Sequence, residues 1–450
     1  MTVKRLAIFL SIFIAIAASA SAIKPGDLRW SQEIPPFLGE PAHPFEFFRD
    51  AQLASDAGGD TIAVWRRYDG TEFKVTVNVW NAANRRWGTQ GNLTIVGGVF
   101  GPQVAFRGGQ GLVIWTQEIG GFRDVRIARY TKANGWTSPV APVVATDSAF
   151  DTAIAIDGAG NAFAVWTRVI GSDTRVQAMR YDTATSQWTN LTTLSAAGQS
   201  AFHPRIGADG TGNAHVIWDR FNGTQHALET ARYDAASRTW STFTNLGGIY
   251  PDSNGDLAVA ASGDAIAVWD NAVSSSVPSD YFSAHYDWRT RTWGSATKIG
   301  TGKGKAFVGI NQSGDAVAVW PVPSGDLNAA RFNPLTGVWS SPLTISEAIP
   351  SGISEQPAVV VDPAGVATIA FSQNRSTYHV IYAWRYSQTG TERSGLGLGI
   401  EPRLAVDGAG NVMVVWMTAA CSFGADVCPP INNLQSTQWL ADPRRRRAAR

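Results

Sequence analysis

Only two of the 450 residues are cysteine and only six are histidine, so metal centres and redox chemistry have few side chains to draw on. Charged residues make up 16% of the chain and nearly cancel, leaving a net charge of +1. That balance excludes the strongly basic surface of a nucleic-acid binder, and no nucleic-acid partner is expected. Beyond the amino terminus no apolar run reaches the eighteen or so residues of a membrane span. Helical periodicity is missing as well. Glycine is abundant instead, at 45 residues, and there are 18 tryptophans.

Those tryptophans keep a register. One closes an Ala-Val-Trp type run at Trp65, Trp115, Trp166, Trp218, Trp269, Trp320 and Trp416, with Phe371 in its place once. A period of about fifty residues points to stacked or radial units. A second marker follows at Trp87, Trp136, Trp188, Trp240, Trp293 and Trp339. Six or seven residues ahead of each stands another aromatic: Trp80, Tyr130, Tyr181, Tyr233, Tyr286 and Phe332. Tryptophans held at fixed positions are core residues, each burying roughly 150–250 Å².

One unit reads as four short strands. Residues 153–157 are an apolar run, and Asp157-Gly-Ala-Gly-Asn161 is a tight turn in which Gly and Asn supply positive φ. Residues 162–168 are apolar almost throughout, as in a strand covered on both faces. Residues 175–181 alternate, and a polar turn from Asp182 to Gln187 leads to a fourth strand opening at Trp188. Four antiparallel strands per fifty residues describe a β-propeller blade. The fold class is therefore all-β, an eight-bladed propeller, with a seven-bladed ring as the alternative if the degenerate seventh unit is no blade. The closing blade has three strands near the carboxyl end, the last around Trp439. The stretch Arg29-Trp30-Ser31 reads as its missing fourth strand.

The hairpins Arg180-Tyr181-Asp182 to Trp188 and Arg232-Tyr233-Asp234 to Trp240 resemble the Tyr-Asp-x-x-x-x-x-Trp half of kelch repeats. The Asp-Gly-x-Gly-Asn turn is similar to those of NHL-type and sialidase-type propellers. The kelch double glycine is missing, and Ser262-Gly263-Asp264 to Trp269 approximates a sialidase Asp-box without its Gly and Thr. What the resemblance implies is architecture. A sialidase would use an arginine triad, a Tyr–Glu pair and an acid–base Asp, and here only Arg205 and Arg403 sit at equivalent positions.

Residues 1–22 have the form of a signal peptide: Lys4-Arg5, an apolar run, then Ala-Ser-Ala-Ser-Ala with cleavage expected after Ala22. The expectation is a secreted or periplasmic chain, monomeric, with a single domain over 23–443 and a disordered basic tail over 444–450. Cys421 and Cys428 are expected to form a disulfide in that setting. No cofactor and no metal site is expected. Asp252-Ser253-Asn254-Gly255-Asp256 begins like a calcium loop but lacks its later Gly and Glu. His215 alternates within an apolar strand and reads as a core imidazole.

In a propeller, the loops joining blades and those joining strands two and three open on one face. Here they are the variable ones, and variable loops on a repetitive frame are where binding resides. An aromatic recurs in the blade-joining loop at Phe100, Phe150, Phe202 and Tyr250, near Glu118, Arg168, Asp219 and Arg220. These eight residues are the candidate ligand contacts, with Phe150 expected beside Arg168 and Phe202 beside Arg220. The function expected is non-enzymatic recognition of a glycan or an extracytoplasmic protein. The alternative is a glycan-active enzyme of sialidase or lyase type.

Overall fold

The computed structural model describes residues 30, 47–94, 97–143, 147–248, 255–271, 278–345, 354–374, 379–388, 390–418 and 434–441. They form eight antiparallel sheets, each built from consecutive strands in simple order. Blade 3 shows the pattern: strands Ala149–Ile156, Ala162–Ile170, Asp173–Asp182 and Gln187–Thr193 run outward from the centre. The turn between the first two is set by its own side chains. Asp157 Oδ1 accepts the amides of Ala159 and Asn161 at 2.8 and 2.9 Å, while Gly160 takes a φ of 83°. Asn161 then fixes the outer hairpin, its Oδ1 accepting the Thr183 amide at 3.1 Å. Asp209 with Asn213 and Asp407 with Asn411 repeat this arrangement.

Packing between blades follows from the repeat. The marker tryptophans and Phe371 are at most 2% exposed. The paired aromatics of strands three and four lie opposite each other, as Tyr181 does Trp188, with ring centroids 5.2–5.8 Å apart from Trp80–Trp87 to Phe332–Trp339. Each pair receives a side chain from the preceding blade. Phe163 of blade 3 meets Tyr233 of blade 4 at 4.9 Å. The turns are also tied across blades: the amides of Gly158, Gly210 and Gly408 donate to the carbonyls of Asp209, Ala261 and Ala57.

Blade 7 is complete, with strands Ser354–Val361, Ala367–Asn374, His379–Tyr386 and Thr391–Leu398, so the ring has eight blades. Blade 8 holds Ile400–Val406, Val412–Met417 and Leu434–Trp439, and Trp30 bridges Trp439 in antiparallel fashion. Trp30 thus joins the open edge of the blade 8 sheet. The ring closes where Trp87 Nε1 donates to Ser436 Oγ at 3.0 Å and blades 8 and 1 share a core around Trp65, Trp80, Met413 and Leu434. Among the described residues, no helix is long and apolar enough to cross a membrane. The signal-peptide residues, Tyr250, the first three residues of the calcium-like loop, both cysteines and the basic tail lie outside the described residues.

His215 occupies in blade 4 the place Phe163 holds in blade 3. It is 1% exposed and packs on Tyr286 at 4.3 Å, as a core imidazole. Burial, with the Arg232 charge second, pushes its pKa down to about 3. An imidazole kept neutral when folded and free to protonate when unfolded makes the unfolded state bind more protons below pH 6.5. Stability therefore falls as pH drops from about 6.5 toward 3, with a limiting slope of about 1.4 kcal/mol for each pH step of one. The His215→Phe variant should flatten that dependence, read as a smaller difference between melting temperatures at pH 7 and pH 4. An equal difference in both proteins counts against His215 as the sensitive group.

Candidate functional site: the mouth of the central channel

The two faces of the ring use their polar groups differently. On the face of the tight turns, carboxylates are consumed locally. Asp182 accepts the Ala184 amide and Arg180 Nη1, and Asp234 accepts the Ala236 amide and Arg232 Nη1, each ion pair at 2.8–2.9 Å. The Arg232 hydrogen bond holds Asp234 down at about 2. Asp157, Asp209 and Asp407 are buried inside their own turns.

The opposite face starts from a feature that strand patterning missed. The innermost strand of six blades carries a β-bulge, between Arg49 and Gln52, Phe100 and Gln103, Phe150 and Ala153, Phe202 and Arg205, Glu355 and Ala358, and Ile400 and Arg403. Asp50, Asp151, His203 and Glu401 there adopt left-handed φ of 49–55°, and Gly101 does so at 52°. Non-glycine residues hold such angles at a cost of about 1–3 kcal/mol, and they gather where a side chain must be aimed. The bulge also corrects an expectation. Phe100, Phe150 and Phe202 belong to first strands rather than to blade-joining loops, because pairing with the second strand resumes beyond the extra residue. One signal was legible: Pro102, Pro204 and Pro402 follow the bulged residue, and Pro suits a position where the ladder needs no N–H.

The candidate residues fall into two groups. Phe100 and Phe150 share the Arg123 guanidinium, 3.7 and 5.6 Å from the ring centroids, and Arg66 lies 5.9 Å from Phe100 and 4.7 Å from Phe73. Aromatic and guanidinium groups therefore alternate across blades 1 to 3, with Arg123, a residue without any repeat signature, at the joint. Phe202 lies beside His203, and Glu118 is exposed at the end of its hairpin. The remaining three are held within the sheets. Arg168 is 4% exposed, donates to the Asp147 carbonyl and sits 3.6 Å from Asp124 of blade 2, so Phe150 lies with Arg123 and not in the expected pair. Burial lowers its pKa. Arg220 Nε donates to Glu229 at 3.0 Å, and the other Glu229 oxygen takes Trp218 Nε1. Buried Asp219 holds His226 Nδ1 at 2.9 Å, and that imidazole stacks on Phe221.

Cations converge on the channel itself. Arg205 and Arg403 pair with Ile217 and Val415, each the residue before a marker tryptophan, so they lie in the same layer of blades 4 and 8. Lys305 joins them from blade 6. Burial first, then the charges of Arg205 and Arg403, lower its pKa to about 8. Among the described residues no group of three or more His, Cys, Asp or Glu is placed to hold a metal ion.

Ring, bulges and channel define the class: an eight-bladed β-propeller. No protein family matches the chain, and no curated protein does. Among solved structures it is similar to the Dos1 propeller, at 10% identity over 88% of this chain and 94% of that one, with a TM-score of 0.53. It is also similar to the NanB sialidase of Streptococcus pneumoniae, at 11% identity, 93% and 73% coverage and a TM-score of 0.41. A fucose-specific lectin from Aleuria aurantia follows at 13% identity, 66% and 93% coverage and 0.37.

Proposed function

We propose that the chain is an exported, non-enzymatic binding propeller that recognises carbohydrate on the face where the blades are joined. The observation that carries this is the Phe100–Arg123–Phe150 array beside the strained bulges at Asp50, Asp151, His203 and Glu401, on the face where the blades are joined. Sugars offer C–H patches to aromatic rings and hydroxyls to fixed polar groups. Phe100, Phe150 and Phe202 with Glu118 would supply both, on a frame in which Arg168, Arg220 and Asp219 are tied to Asp124, Glu229 and His226, with Tyr250 as the fourth aromatic. On a glycan array the Phe150→Ala/Phe202→Ala variant should lose roughly tenfold in affinity, about 1.4 kcal/mol, and Asp182→Ala/Asp234→Ala should bind as the parent does. Loss confined to the second variant would place binding on the other face. Absence of any retained glycan would favour a protein partner.

A second reading rests on the His226–Asp219 pair. A buried carboxylate on Nδ1 leaves Nε2 as the proton acceptor, the arrangement of a general base. Turnover of a fluorogenic glycoside panel that disappears in both His226→Ala and Arg205→Ala would establish the glycan-active enzyme instead.

A further inference from the structure

Residues from blades 4, 6 and 8 approach one another only across the central channel, because other blades lie between them around the ring. Arg205 and Arg403 pair with the residues before Trp218 and Trp416, and Lys305 lies two residues ahead of Phe307, which pairs with the residue before Trp320, so the innermost strands of these blades carry three cations toward one lumen. The two arginines have the same posture. Arg205 Nη1 donates to the Pro204 carbonyl at 3.2 Å and Arg403 Nη1 to the Pro402 carbonyl at 3.1 Å, and among the described residues most donors of each guanidinium fork make no hydrogen bond. The Lys305 ammonium lies 5.5 Å over the Phe307 ring.

Three of the neighbouring acids are committed elsewhere. Asp50 accepts Arg66 Nε, Asp256 accepts the Val308 amide at 2.9 Å, and Asp151 accepts the His203 amide at 3.3 Å. Glu401 comes within 3.9 Å of Arg403. Among the described residues, no carboxylate lies within ion-pair distance of Arg205 or Lys305. Like charges crowded into a partly desolvated space are unfavourable, and an arriving oxyanion removes that penalty. The paired forks suit carboxylate or sulfate, both planar or trigonal faces of oxygen acceptors.

Resting on the binding reading above, we propose that the ligand is an acidic saccharide whose carboxylate or sulfate ester is held in the channel by Arg205, Lys305 and Arg403. Anion binding favours protonated Lys305, so affinity falls as pH rises through 8 and above. The Asp256 charge acts against burial and the two arginines, raising the Lys305 pKa and so favouring its protonated form.

The test titrates glucuronate, glucose 6-sulfate and glucose against the full chain, with dissociation constants read by NMR at pH 7 and pH 9. At least one of the two acids should bind tenfold or more tightly than glucose, and which of them does so identifies the anion. Arg205→Gln/Arg403→Gln should weaken that acid at least tenfold. Lys305→Met should weaken it at pH 7 and abolish the loss between pH 7 and pH 9. Arg289→Gln, an exposed arginine of the tight-turn face, should bind as the parent. Circular dichroism and melting temperature verify that each variant is folded, and Lys305→Met, which removes a disfavoured charge, keeps the test valid if the double variant misfolds. Acids bound no better than glucose, or bound equally by the channel variants, overturn the proposal. If a neutral glycan still depends on Phe150 and Phe202, the binding reading survives that failure. Acid binding in the channel without any glycan retained on the array would instead sink the carbohydrate reading and keep the anion site.

Discussion

A chain lacking residues 23–37 is expected to melt well below the intact protein and to aggregate on heating. Trp30 supplies the partner of Trp439, and it packs with Val360, Leu396 and Leu404 around Trp416. Losing a large aromatic from such a cluster costs about 3–5 kcal/mol. The last strand of blade 8 would also present an unpaired edge, which templates association with other chains. Trp30→Ala should reproduce a large part of the loss of stability without the aggregation, since the backbone pairing survives. Equal melting temperatures for the shortened and intact chains would show that blade 8 stands without the Trp30 contact.

The second large effect is expected from a single methyl group. Gly158 has no need of a left-handed φ, so alanine there is conformationally acceptable. Its Cβ, however, would sit 2.2 Å from the Gly210 carbonyl oxygen and 2.9 Å from its carbon. Both obstacles are backbone of the next blade, so no rotamer change relieves them. Gly158→Ala should cost about 3 kcal/mol, at the upper end for overpacking, and should break the bond from its amide to the Asp209 carbonyl. Gly248→Ala is the control, because nothing lies within 4 Å of its added Cβ. Similar melting curves for the two variants would mean that the turns slide freely past each other.

The repeat made the frame legible because packing imposes it on each blade alike. Trp166, Tyr181, Trp188 and the Asp157–Asn161 turn recur for local reasons, and local reasons leave a periodic trace. The same logic identified His215 as core from its place among apolar neighbours. The site is different in kind. Asp50, Asp151 and His203 look ordinary in sequence, and their left-handed backbone follows from a register shift against a second strand. Arg123 and Lys305 carry no periodic mark, and their partners come from other blades. Arg205 and Arg403 could be matched by position, but the gathering of their charge near Lys305 depends on closure of the whole ring. Arg168 and Asp219 misled for the converse reason: a polar side chain beside a marker tryptophan reads as surface until its buried partner is known.

The junction of Trp30 with Trp439 also has a consequence in time. During synthesis Trp439 emerges 409 residues after its partner Trp30. At about 5–20 residues per second, Trp30 waits for tens of seconds before that partner exists. Blades 1 to 7 can each form from neighbouring hairpins as they appear, whereas the final seam must join Trp30 to a residue far away in sequence, the slowest kind of contact to make. The ring is assembled blade by blade but locked in one late step, and whatever shields Trp30 until then decides how much chain reaches the closed state.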